Sequence, residues 1–275
     1  MNLPIASYQQ RDSIIEMKLD AVQKTAQEQF ARQSHRYGQG HILENVEDVC
    51  SAMTLMQLPD HAQVLDIATG AGHTGIFLAG LGHEVTLADI AEPMLERAQK
   101  TAAERGFIVK TQLHAAEEFP NENETFDLVT CRVAAHHFSS PEKFISETAR
   151  VLKSGGWFLL IDGSVQDDEP EAEAWLHAVE KFRDPSHRRF LTPRAWCKLC
   201  AANPLKVVEC KFTPFKQPDL NWYFETAATS PENRKKVLEL VTIAPESARR
   251  LFQVGNEEGK IVWWWQRLTL IARKS

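Results

Sequence analysis

The stretch Val64-Leu65-Asp66-Ile67-Ala68-Thr69-Gly70-Ala71-Gly72-His73-Thr74-Gly75 decides how the rest of the chain reads. Val64 to Ile67 have the character of a buried strand. Thr69 to Gly72 form a glycine loop, and from Thr74 the apolar Ile76, Phe77, Leu78, Ala79 and Leu81 turn helical. A strand that runs through a glycine loop into a helix N-terminus suits a nucleotide-like ligand. Glycine lets the backbone approach closely, and the first helical turn offers unpaired N–H groups.

Outward from this stretch the chain alternates strand and helix. A strand over Glu84 to Ala88 ends at Asp89, and a helix follows over Pro93 to Arg105, with Gly106 just past its end. Further strands are expected over Phe107 to Leu113, Phe126 to Thr130 and Trp157 to Asp162, with a helix over Pro141 to Leu152 before the last of them. Strands separated by such helices imply a parallel, doubly wound sheet with its ligand at the strand carboxyl ends. On the N-terminal side, helices are expected from about Ser13 and over Leu43 to Leu55, broken at Arg36 to His41. On the C-terminal side, helices are expected over Ala172 to Phe182 and after Pro193, and a strand over Lys206 to Phe212. Residues 214–258 read as helices without a sheet signal, and Ile261 to Ala272 as one long final strand containing Trp263-Trp264-Trp265.

The composition sets outer bounds. With 275 residues, 43% apolar and 25% charged, the chain fits one globular domain bearing a cap. A net charge of -6 without a dense Lys/Arg block disfavours nucleic acid as the main partner. Met1 to Asp12 lacks the basic flank and apolar core of a signal peptide, and no later run is long enough to span a bilayer, so a cytoplasmic protein is expected. The five cysteines are an odd set for a disulfide framework. Cys197 and Cys200 are spaced as Cys-x-x-Cys without a second pair, and read as small apolar residues on a helix; no metal is expected.

Gly70 to Gly75 also fits the dinucleotide pattern G-x-G-x-x-G, with Asp89 ending the next strand, so an NAD-dependent oxidoreductase is one reading. Asp66 argues against it, because a carboxylate just before the loop repels a pyrophosphate and attracts a cationic headgroup. Together with Phe126-Asp127-Leu128-Val129 and Leu152-Lys153-Ser154-Gly155-Gly156, the opening stretch resembles the class I S-adenosylmethionine-dependent methyltransferases. Thr130-Cys131-Arg132-Val133-Ala134-Ala135-His136-His137-Phe138 and Arg183-Asp184-Pro185-Ser186-His187 resemble a branch related to the ubiquinone/menaquinone-biosynthesis methyltransferases. The resemblance runs from about Phe30 to Phe212 and says little about the acceptor.

It implies an α/β, Rossmann-like, seven-stranded and mostly parallel sheet, with the last strand antiparallel and a helical cap. One methyltransferase domain would cover residues 1–275. Within it lie an N-terminal lid (1–58), a cofactor core (59–163) and cap insertions for the acceptor (164–205 and 214–260). The implied cofactor is S-adenosyl-L-methionine, with S-adenosyl-L-homocysteine as product. Asp89 would accept from both ribose hydroxyls, and Ile90 and Met94 would flank the adenine. Ala116 would offer backbone to its edge. Gly70 and Gly72, with Ala68 and Thr69, would pass beneath the cofactor. Asp66 would sit near the methionine end, Arg132 and Val133 beside the sulfonium, and Tyr37 with His41 would close over the site. Two positions depart from the family: Ala68 stands where glycine is usual, and Ala115 where an adenine-binding aspartate is usual, with Glu117 a candidate substitute.

Methyl transfer from a sulfonium is an in-line displacement that needs mainly proximity, plus a base where the acceptor must lose a proton. His136 and His137, after the fourth strand, are candidate bases or else capping and packing residues. Arg183 and His187 could orient an anionic acceptor, or belong to a structural turn. Trp222, Tyr223 and Phe224 and the Trp263 run could line an apolar pocket; for the run, core or homodimer contact is the stronger reading. The expected reaction is methyl transfer to O, N or C of a small aromatic or lipophilic molecule. Besides the oxidoreductase, a non-methylating S-adenosylmethionine-binding protein on the same fold remains an alternative.

Overall fold

The structure is a computed structural model that describes residues 17–37, 41–217 and 219–275. The expected helical start at Ser13 to Glu16, Met1 to Asp12 and the Gly38 to Gly40 break lie outside them.

Helix α1 (Ala21–Gln33) begins where Asp20 caps it: the Val22 and Gln23 N–H groups donate to Asp20 Oδ1 at 2.8 and 2.9 Å, and the Gln23 side chain accepts from the Asp20 N–H. This reciprocal box fixes the start, and Met17 to Asp20 are not helical. Helix α2 (Glu47–Met53) then leads to strand β1 (Gln63–Ile67), α3 (His73–Gly80), β2 (Glu84–Asp89), α4 (Glu92–Glu104) and β3 (Lys110–Leu113). Strand β4 (Phe126–Arg132), α5 (Pro141–Val151) and β5 (Leu152–Ser164) complete the first half. The second half comprises α6 (Pro170–Arg183), α7 (Pro193–Ala201), β6 (Leu205–Lys216), α8 (Leu220–Thr226), α9 (Pro231–Thr242) and α10 (Glu246–Phe252). It closes with β7 (Gly255–Glu257), β8 (Lys260–Val262) and β9 (Trp264–Lys274).

Seven strands form one sheet in the order β3-β2-β1-β4-β5-β9-β6. Pairs among the first five are parallel, and β9 runs antiparallel to both β5 and β6. Strand β1 pairs β2 on one side and β4 on the other, so the chain reverses its winding beside β1. That is where a doubly wound sheet opens a crevice at its carboxyl ends.

Alternation along the strands fills both faces. Leu65 and Ile67 pack with Phe144 and Ile145 of α5 and Trp196 and Cys200 of α7. Val64 packs oppositely with Leu78 of α3, Ala98 of α4 and Val49 and Ala52 of α2. Each fully buried side chain of this kind contributes about 1.5–3 kcal/mol. Helices α6, α8, α9 and α10 make a separate apolar core with Trp263, in which Trp175 stacks on Phe252 at 5.8 Å.

Several boundaries differ from the expectation. Helix α7, inside the range expected for the cap, packs on the sheet, as does α2, inside the range expected for the lid. Strand β3 is shorter, starting at Lys110. The expected long final strand is two: β8 turns back on β7, and only β9 joins the main sheet, with the buried Trp263 at the break. Apolarity along the sequence is continuous there, but a hairpin and a sheet strand share it. Strands also reach into the range read as helical, through Lys216 of β6 and through β7.

Candidate active site

A cavity opens at the carboxyl ends of β1, β2 and β4 and extends beneath α1, α6, α8 and the ends of β6 and β9. Its sheet end is the glycine loop. Asp66 is 1% exposed and does not line the cavity. Its Oδ2 accepts from Thr69 Oγ1 at 2.5 Å and the Gly75 N–H at 3.2 Å, and its Oδ1 from Thr130 Oγ1 at 2.6 Å. Asp66 therefore ties strand, loop and helix together from behind, a correction to its expected place beside the methionine end. Burial raises its proton affinity, opposed by those three donors.

Thr69, Gly70 and Ala71 face the cavity. Gly70 (φ +55°) and Gly72 (φ +84°) are left-handed, which glycine adopts at little cost. Gly72 does not line the cavity; it starts α3, and a Cβ there would meet the Ala98 Cβ at 3.0 Å. Ala68 lines the cavity with φ +51°, so alanine is strained where the resemblance leads one to expect glycine.

Asp89 is 6% exposed and faces the cavity. Its Oδ2 accepts from the Gly70 N–H and its Oδ1 from the Ala91 N–H, both at 2.9 Å. One acceptor position on each oxygen remains. Burial pushes its pKa up to about 6, against the pull of the backbone N–H groups. Ile90, Met94, Ala116 and Glu117 line the same end, and Ala115 does not. Glu117 is already committed: Oε2 accepts from Gln23 of α1 at 2.7 Å, and Oε1 from the Ser139 N–H at 2.7 Å and the Ser140 N–H at 3.3 Å. It anchors the first helix rather than standing free to replace the missing aspartate.

Between loop and cap, Tyr37 stacks on His41 at 4.8 Å, and His41 lies 6.2 Å from His73 at 5° between planes. Both imidazoles are pushed down to about 4 by burial, and neither nitrogen of His73 has a protein partner among the described residues. Arg132 and Val133 line the cavity. Arg132 donates to the carbonyls of Leu43 and Asn45 at 2.8 and 2.6 Å and pairs with Asp48 at 3.0 Å.

The cap end holds the histidines. His136 lines the cavity; its Nδ1 donates to Asp162 Oδ1 at 2.7 Å and its N–H to Asp162 Oδ2 at 2.8 Å. The carboxylate fixes the tautomer, leaving Nε2 without a hydrogen bond among the described residues. Phe190 packs 4.8 Å from the ring and lies on Gly163, where a Cβ would stand 2.2 Å from it. His137 also lines the cavity; its Nδ1 lies 3.0 Å from Ser186 Oγ, which donates to Asp184 at 2.6 Å. Burial and the neighbouring His136 push its pKa down.

His187 is different from its expected role. It is 1% exposed, does not line the cavity, and packs 5.4 Å from His136 and 4.8 Å from Phe190. Burial drives its proton off, so it presents no charge to an anion. Arg183 lines the cavity with its donors engaged. It pairs with Glu180 at 3.2 Å, donates to the Tyr223 carbonyl at 2.9 Å and Thr226 Oγ1 at 3.0 Å, and lies 4.5 Å over the Tyr223 ring. Trp222 and Trp265 line the cavity, whereas Tyr223, Phe224 and Trp263 are buried in the cap core. Asp162, Ser186, Phe190, Phe215 and Arg267 were not singled out as site residues in the sequence; each lies far along the chain from the group it serves.

A methyltransferase-domain family model matches residues 65–160. The uncharacterized methyltransferase YcgJ of Bacillus subtilis is 30% identical over 244 residues, covering 88% of this chain and 96% of that protein. The chain belongs to the class I S-adenosylmethionine-dependent methyltransferases. The crystal structure of YcgJ superposes with a TM-score of 0.77 at 28% identity, over 84% of this chain and 99% of that one. The ubiquinone biosynthesis O-methyltransferase of Thiobacillus denitrificans is 34% identical over 99 residues, 34% of this chain and 41% of that protein.

As a methyltransferase of this class the chain uses S-adenosylmethionine as its methyl donor, which sets the nicotinamide reading aside. The cavity suits this cofactor. Asp89 keeps acceptor capacity for a diol, Ile90 and Met94 make an apolar slot, and Gly70 opens a cradle with no heavy atom within 4 Å of its Cβ position. Among the described residues, no three metal-ligating side chains are grouped, and no helix is long and apolar enough to cross a membrane.

Proposed function

We propose that this methyltransferase acts on a small acceptor with an apolar, aromatic body and an acidic hydroxyl, and that His136 is its base. The observation that carries the reading is the Asp162–His136 pair. A buried carboxylate grips both the backbone and Nδ1 of one histidine, whose other nitrogen is unpaired beside the cavity.

Asp89, Ile90, Met94, Ala116 and the loop Ala68 to Gly70 would hold the donor, with Tyr37, Arg132 and Val133 around its reacting end. Bound S-adenosylmethionine supplies an electrophilic methyl group on a good leaving group. The protein's part is alignment and proton removal. His136 Nε2 takes the hydroxyl proton, and Asp162 stabilises the imidazolium that forms. The hydroxyl oxygen, or the ring carbon it activates, is left electron-rich. Phe138, Phe190, Phe215, Trp222 and Trp265 give that end an aromatic lining that excludes water and fits a flat ring.

The test is labelled methyl transfer to a panel of hydroxynaphthalenes and benzenediols by wild type and His136→Asn. A positioned base contributes about 10²–10⁴-fold, so kcat should fall by that factor while S-adenosylhomocysteine affinity stays level. Equal turnover would remove His136 from the role.

A further inference from the structure

Asp48 is shared by two arginines. Arg132 takes both of its oxygens, and Arg267 Nη1 donates to Oδ2 at 3.0 Å. The side chains of Arg132, Arg267 and Asp48 are only 5%, 13% and 15% exposed. One carboxylate thus serves two guanidinium groups, and its hydrogen-bonding capacity is spent mainly on Arg132.

The two arginines differ in what they have left. Arg132 is held by two backbone carbonyls in addition to Asp48. Arg267 makes one hydrogen bond, and its Nε and Nη2 have none among the described residues. Its Cζ stands 4.1 Å over the Phe215 ring centroid, and it lines the cavity. Asp162 also attracts it electrostatically, but the Asp162 oxygens accept from His136 and the Gly163 N–H and make no hydrogen bond to the guanidinium. The other charged groups of the cavity wall have local hydrogen-bond partners: Arg183 in Glu180, Asp184 in Ser186, and Asp89 and Glu117 in N–H donors. Guanidinium stays protonated in such a place, and its planar fork matches a carboxylate.

Arg267 and Trp265 stand two residues apart on β9 and so share a face. Phe215 of β6 pairs opposite Trp265, with the rings stacked at 6.0 Å. A cation lying on an aromatic ring beside a second aromatic ring forms one continuous patch on the acceptor side.

We propose that Arg267 is an anion subsite for the acceptor, so that the substrate class is a hydroxylated aromatic carboxylate. This rests on the reading of the cavity as an acceptor site for aromatic hydroxyls. It adds that the ring carries a carboxylate, bound by Arg267 over Phe215. The arginine acts in recognition and takes no proton.

Two probes share a fused ring and a hydroxyl and differ in the carboxylate: 6-hydroxy-2-naphthoate and 2-naphthol. Each is titrated calorimetrically into the full chain saturated with S-adenosylhomocysteine, for wild type, Arg267→Gln and Arg267→Lys. The wild type should bind the carboxylate at least tenfold more tightly than 2-naphthol. Arg267→Gln should abolish that preference, Arg267→Lys should keep part of it, and S-adenosylhomocysteine affinity should change by less than twofold in each. Equal affinity for the two probes, no measurable binding of the carboxylate, or a preference that survives in Arg267→Gln overturns the proposal. So does a tenfold loss of S-adenosylhomocysteine affinity in Arg267→Gln with Arg267→Lys unaffected, which would assign the arginine to the donor's own carboxylate. Binding is read without turnover, so it does not depend on His136. Lost carboxylate preference with His136-dependent methylation of 2-naphthol breaks this proposal alone. Intact preference with His136-independent turnover breaks the base assignment alone.

Discussion

The glycine-loop end and the cap end of the cavity are built in opposite ways. At the loop end, Ala68 to Ala71, His73, Asp89, Ile90 and Met94 supply much of the wall, and the carboxylates beside them accept from nearby donors. Asp66 closes on Thr69, Gly75 and Thr130, and Asp89 on Gly70 and Ala91. At the cap end, groups from the turn after β4, from helix and from strand converge from distant parts of the chain. His136 meets Asp162 across 26 residues, and Arg267 meets Asp48 across 219. The loop end takes most of its bonds from neighbouring residues, and the cap end keeps His136 Nε2 and the spare donors of Arg267 unmatched among the described residues. Dense local hydrogen bonding makes a rigid wall, whereas polar groups without a partner are free to meet a ligand.

The largest expected effect tests the loop end. Removing both acceptor oxygens with Asp89→Ala should weaken S-adenosylhomocysteine binding by about 10²–10⁴-fold, at roughly 1.5–3 kcal/mol for each charge-assisted bond. Calorimetry at pH 7.5 measures it, with a melting curve to show that the loop still folds. An affinity within threefold of wild type would break the distinction between the two ends.

A pH profile sharpens it next. The Asp89 pKa stands near 6, above its ordinary value. The carboxylate therefore gains its proton as pH falls through 6, and acceptor capacity is lost on the acid side. Affinity for S-adenosylhomocysteine should be flat above pH 7 and weaken by up to about tenfold per unit below 6. A profile flat down to pH 5 would contradict it.

At the cap end the acid sensitivity is one of stability. Burial holds the folded-state pKa of His187 far below its ordinary value. The unfolded chain then binds the proton first, near pH 6.5, and stability falls as pH drops below that value. One such histidine accounts for roughly 2 kcal/mol between pH 6.5 and 5. Urea melts of His187→Leu should show a shallower loss over that range than wild type, and parallel slopes would exclude His187 as the source.

The smallest effect returns to the loop. Ala68 at φ +51° carries left-handed strain that glycine lacks. Ala68→Gly should stabilise by on the order of 0.5–1 kcal/mol, the gain reduced by the greater freedom of glycine in the unfolded chain. A loss of stability would mean that the methyl group's packing outweighs the strain.

Short-range signals suffice where an element and its neighbours are contiguous. The strand, glycine loop and helix from Val64 to Leu81, and Asp89 at the end of the next strand, stand where periodicity placed them. In the sequence Asp66 reads as ligand-facing, because one carboxylate before a loop looks available. Only the convergence of Thr69, Thr130 and Gly75 shows it taken. His136 was a candidate without a partner, since Asp162 reads merely as the end of a strand. His187 looked equal to His136 in the sequence, and its burial separates them.

By itself the sequence determined the alternating strands and helices, the cofactor loop and the acid after it, because apolar period and glycine placement act over a few residues. Tertiary structure alone decided which cap residues face the cavity. Trp265 and Arg267 reach it while Trp263 is core, and that depends on where β9 begins and how it registers on β6. A shift of one residue would turn every side chain of that strand to the other face, and nothing within the strand's own apolar run selects between the two.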